Sequence, residues 1–115
     1  MSADSYAAVR KFLAAAEIRP DFSRRAMGRI EKQHDELGDS FKWCVRGRLI
    51  SEAIEECEDL AAWSALSASR CEQDAELLGA ASAHRVRALL TIATERADEA
   101  DSALVELRRL LERSA

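Results

Sequence analysis

The stretch VRALLTIATERADEADSALVELRRLL, Val86 to Leu111, decides the fold class. Val86, Leu90, Ala93, Ala97, Ala100, Leu104, Leu107 and Leu111 are separated by 4, 3, 4, 3, 4, 3 and 4 positions. That alternation places them on one stripe of a helix and marks a coiled-coil seam. After Cys71 there is no proline and one glycine, Gly79. Thr94 could cap a new helix, but neither glycine nor proline lies between Leu89 and Ala103, so the expectation is one long helix over residues 72–113. Such a helix would outreach any shorter ones packed on it. Leu104, Leu107 and Leu111 are therefore expected at an interface with another copy, in a homo-oligomer.

Working back toward the N-terminus, the pattern implies three shorter helices. The first, about 3–18, can be capped by Ser2 or Asp4 and carries Val9, Leu13 and Ala16 along one side. Arg19-Pro20 ends it, because a residue before proline is biased away from helical backbone. Pro20 and Asp21 suit the start of a second helix over 21–37, in which Phe22, Ala26, Ile30, Gln33 and Leu37 recur at helical spacing. Gly38 follows as a terminator. A third helix, about 40–69, carries Leu49, Ile50, Ala53, Ile54, Cys57, Leu60 and Ala61 on one broad apolar face. The expected fold is all-α: three shorter helices and one long C-terminal helix in a single domain over residues 1–115.

The totals agree. Apolar residues make up 48% and charged residues 33%, in the range of globular chains. Aromatic residues are only 5%, which disfavours β-sandwiches and barrels. The net charge of −4, from 21 acids and 17 bases, leaves no basic footprint for nucleic acid. No apolar run approaches membrane-spanning length. Cys44, Cys57 and Cys71 have no metal-type spacing and read as free thiols of a cytoplasmic protein.

Five acids fall within the eight positions Glu52 to Asp59. Glu52, Glu55, Glu56 and Asp59, at i, i+3, i+4 and i+7, share one helical face. The ordinary reading is the wet side of an amphipathic helix. The other reading is a cation site. The same stripe is bracketed by Phe41 and Val45 and by Trp63 and Leu66. Four carboxylates within two turns also repel one another unless a cation neutralises them, and hard ions such as Mg²⁺ take oxygen ligands.

The run RLISEAIEECEDLAAW, with GDSF (Gly38 to Phe41) before it, resembles the acidic helix of MazG-like nucleotide pyrophosphohydrolases, including short phage-type relatives. Glu56 and Asp59 match that family's E-x-x-D pair, and Glu52 and Glu55 match acids that often precede it. The resemblance covers about residues 29–66. It implies an all-α oligomer in which Mg²⁺ on these four acids activates water to cleave a nucleoside triphosphate to monophosphate and pyrophosphate. Lys42, Arg46 and Arg48 would then neutralise the substrate's phosphates. The family's second set, E-E-x-x-E, has no counterpart in RIEKQHDEL, where Glu31, Asp35 and Glu36 stand at another spacing.

No residue pattern supports nucleophilic catalysis, and His34 and His84 have no triad-type partners. Trp43 and Trp63 read as packing residues, with an interface role as second choice for Trp63. Two functions remain open: the Mg²⁺-dependent hydrolase, and a non-enzymatic helical protein that docks on a protein target.

Overall fold

The computed structural model describes residues 6–37 and 46–114, and among them all regular structure is helical. The helices are α1 (Ala7–Ala15), α2 (Pro20–Leu37), α3 (Arg46–Gln73), α4 (Ala75–Leu78) and α5 (Ala80–Ser114). The chain groups into two compact units, Met1–Val45 and Arg46–Ala115. No described helix is long and apolar enough to cross a membrane.

In the first unit α1 is shorter than the expected 3–18. It stops where Ala16 turns extended, at φ −71° and ψ 146°. Ala16 still donates its N–H to the Phe12 carbonyl at 3.1 Å, closing the last turn. Pro20 takes the first position of α2, where its missing N–H costs nothing, and Asp21 lies in the positively polarised first turn. Arg10 and Glu31, 3.6 Å apart, link the two helices. Val9, Leu13, Ala26 and Ile30 are half-buried, whereas Phe12 and Phe22 are exposed.

The second unit is a helical hairpin. Cys57 lies beside Ala97 and Asp101, and Glu72 pairs with Arg87. Position numbers thus rise on α3 as they fall on α5, so the helices are antiparallel. The shielded positions of α3 are Ile50, Ile54, Cys57, Ala61, Ser64, Ala68 and Cys71, again spaced 4, 3, 4, 3, 4 and 3. On α5 they include Ala83, Leu90, Thr94, Ala97, Asp101 and Leu104. Most of these side chains are small, so the backbones can approach closely. Ala97 and Ser64 are only 3% and 4% exposed.

The expected helix over 72–113 is divided. α3 runs on to Gln73, past the anticipated 69, and α5 begins at Ala80. The break is Gly79, whose φ of +84° lies in the left-handed half of backbone space that side chains disfavour. Its N–H donates to the Ala75 carbonyl and closes α4, and its carbonyl accepts from Ala83 in the first turn of α5. At Thr94, by contrast, the helix runs straight through. The Thr94 hydroxyl donates to the Leu90 carbonyl at 2.9 Å and caps nothing. The hairpin therefore pairs helices of 28 and 35 residues, and the long C-terminal helix that was expected is present but starts at Ala80 instead of residue 72.

Gly79→Ala is expected to cost about 1–2 kcal/mol in urea unfolding through its backbone angle alone, since nothing lies within 4 Å of an added Cβ. Gly28→Ala, in the open interior of α2, is expected to gain about 0.5–1 kcal/mol. At the seam, Ala97→Leu should cost about 1–3 kcal/mol by overpacking. Ala62→Leu on the exposed side of α3 should change stability by less than about 0.5 kcal/mol.

Candidate functional site

Glu52, Glu55, Glu56 and Asp59 all lie on α3 and all are exposed. Glu52, Glu55 and Asp59 point away from the α3–α5 seam, and none of the four forms an ion pair with another described residue. Arg48 is exposed as well, and it does not pair with Glu52 despite the i+4 spacing. Arg46 opens α3 and Lys42 falls outside the described residues. Among the described residues, no three of His, Cys, Asp and Glu converge as a metal-holding group. Phe41 and Val45, the apolar neighbours expected upstream, also lie outside the described residues. The downstream pair, Trp63 and Leu66, is 68% and 61% exposed.

On one side of the seam Glu58, Asp98 and Asp101 rim an open groove of about 530 Å³ floored by Cys57, Ala61, Thr94 and Ala97. Partial burial pushes the Cys57 thiol above its ordinary range, and Asp101, Glu56 and Glu58 add to the shift by disfavouring a thiolate. This is the opposite of what activates a nucleophilic cysteine. Cys71 is likewise a free, half-buried thiol on the seam. His84 is exposed near Arg87 and Thr91, with no nucleophile beside it.

The other side of the hairpin is apolar. Each helix carries a second heptad stripe, offset by one residue from its seam. On α3 this stripe is Leu49, Ala53, Glu56, Leu60, Trp63 and Ser67; on α5 it is Val86, Leu89, Ala93, Arg96, Ala100, Ala103, Leu107 and Leu110. One residue back from the seam is a rotation of about 100° on each helix. Because the helices are antiparallel, equal rotations bring the two stripes to the same side. The large residues of both stripes are exposed: Leu60 and Leu89 retain 48% and 55% of their accessible surface. Soluble monomers rarely expose so many neighbouring large apolar side chains.

Of the expected interface residues, Leu107 belongs to this exposed stripe, whereas Leu104 and Leu111 are half-buried and continue the seam register of Leu90 and Ala97. The 4-3 pattern read from sequence thus mixes members of two adjacent stripes. Trp63 and Leu60, the largest contributors on α3, carry the same heptad signal one residue away from the seam.

Comparison with models of protein families, with curated proteins and with solved structures finds no match to this chain.

In a Cys44→Ser, Cys71→Ser background, alkylation of Cys57 by iodoacetamide is expected to show a pH midpoint above that of the same protein in urea. It should therefore be slower than in urea at mildly alkaline pH. Asp101→Asn should move the midpoint part of the way down. A midpoint at or below the unfolded value would contradict the assigned environment.

Proposed function

We propose that this chain is a non-enzymatic interaction protein that works by docking the apolar side of its α3–α5 hairpin on another helical surface. The observation that carries this reading is the double stripe. The seam takes mostly small residues, and Leu49, Leu60, Trp63, Val86, Leu89, Leu107 and Leu110 are left exposed on the stripes beside it. Burying a Leu or Ile fully stabilises by roughly 1.5–3 kcal/mol, and about half of that is still available at each half-exposed position. Heptad spacing suits the face to another helix pair, whose side chains can enter the gaps between its turns.

Hydrolysis of a nucleoside triphosphate with Mg²⁺ on Glu52, Glu55, Glu56 and Asp59 is the second reading. Four exposed carboxylates without cationic partners among the described residues favour it. It needs further acids converging on the same ion, as the resemblance to MazG-like enzymes implies. The docking reading has the wider support, because it accounts for large apolar residues along both helices, whereas the hydrolase reading accounts for one face of α3.

Trp63 reports on the choice once Trp43 is changed to Phe. In this background the apolar side should either shield Trp63 from acrylamide or bind an anilinonaphthalene dye. Leu60→Lys with Leu89→Lys should abolish both while leaving helicity unchanged. Millimolar Mg²⁺ should leave the melting temperature of the parent and of Glu56→Gln the same. An exposed Trp63 with no dye binding, together with a Mg²⁺-dependent rise that Glu56→Gln removes, would turn the assignment to the hydrolase.

A further inference from the structure

Between its first and last large apolar members each stripe carries one charged residue. On α3 it is Glu56, between Ala53 and Leu60; on α5 it is Arg96, between Ala93 and Ala100. On α3 the position after Ser67 is Arg70, which pairs with Asp74. The antiparallel register sets Cys57 beside Ala97, so Glu56 and Arg96 are offset along the helices by two residues, about 3 Å, near the middle of the hairpin. Neither is paired across the hairpin. Glu56 forms no ion pair with another described residue, and Arg96 donates from Nη1 to Glu99, its neighbour on α5, at 2.8 Å. Arg96 keeps further guanidinium donors for another carboxylate.

We infer that the apolar side is occupied by a second copy of this chain, related by a two-fold axis parallel to the helices, with α3 of one copy over α5 of the other. This rests on the docking function proposed above and names its partner. Rotation about such an axis preserves height along the helices. It therefore brings Glu56 of each copy to Arg96 of the other and closes two equivalent ion pairs within the apolar contact. The alternative two-fold axis, across the helices, would lay α3 on α3. Placed at the middle of the hairpin, where the overlap is greatest, it would set Glu56 against Glu56 and Arg96 against Arg96, and like charges juxtaposed in an interface oppose association; moved along the hairpin, it would shorten the apolar overlap. The parallel axis also makes every neighbouring helix pair antiparallel, as in an up-and-down four-helix bundle. A two-fold contact needs a self-complementary patch. One acid and one base within about 3 Å of the same height on paired apolar stripes, a gap their side chains can span, meet that requirement, and a lone charge within an apolar seam is a known means of fixing register.

Sedimentation equilibrium of the full chain tests this. The parent is expected at twice the chain mass of 12.8 kDa. Glu56→Arg alone and Arg96→Glu alone should each weaken the dimer about tenfold or more, and the two together should recover it to within about threefold of the parent. Leu60→Lys with Leu89→Lys should give a helical monomer. A parent that stays monomeric at about 100 µM overturns the inference, as does a dimer indifferent to single charge reversal or not rescued by the double. The companion measurement on Trp63 separates the two levels. A monomer that binds the dye through Trp63 and Leu60 keeps the docking function and rejects the second copy. A monomer with Trp63 shielded assigns the face to another segment of the same chain. A monomer with neither property rejects both.

Discussion

The contact between α3 and α5 along Cys57, Ala61, Ser64 and Ala68 on one side and Ala83, Thr94 and Ala97 on the other governs the rest of residues 46–114. Small side chains bring two backbones near enough for extensive van der Waals contact. They leave little room for further bulky side chains beside Ile50, Ile54, Leu90 and Leu104. Several bulky residues of both helices stand one position around each cylinder and meet on a common side. The exposed apolar face is thus a direct consequence of the close seam.

The seam also limits what the hairpin can bury. Among the described residues no large side chain is fully buried, and the most shielded positions are Tyr6, Ile50, Ser64, Ala83 and Ala97. Two helices form a single layer, and stable domains pack a second layer against the apolar side of such a layer. Ion pairs contribute little to compensate. Arg70–Asp74, Arg96–Glu99 and Arg109–Glu106 are exposed pairs within one helical stretch, each of the kind worth less than about 1 kcal/mol. Glu72–Arg87 joins α3 to α5 beside the turn, where it favours the antiparallel register.

Much of this was legible in the residues. The all-α class came from alanine, leucine and charged residues at helical spacing, and the boundary at Pro20 came from the chemistry of the imino ring. Two features were misjudged for physical reasons. Gly79, the one glycine after Cys71, was taken into a continuous helix over 72–113; its positive φ instead sets the start of α5 after it. The 4-3 run from Val86 to Leu111 was read as one stripe. On a helix two adjacent stripes can both satisfy a 4-3 spacing, and residue type does not say which one faces the neighbour when alanine occurs in both.

The acidic run in α3 shows the same division. Its spacing alone established that Glu52, Glu55, Glu56 and Asp59 occupy one broad side of a helix, since 100° per residue requires it. Whether that side meets a cation, water or another chain depends on what the fold brings opposite. The hairpin separates Glu56 from the others by turning it toward the apolar side within about 3 Å of the height of Arg96. The sequence by itself determined helices, their approximate ends and their amphipathic character, because these are properties of local backbone and periodicity. Only the tertiary structure decided which of two neighbouring stripes is buried and which charge stands beside which leucine, because both depend on the rotation at which two helices meet.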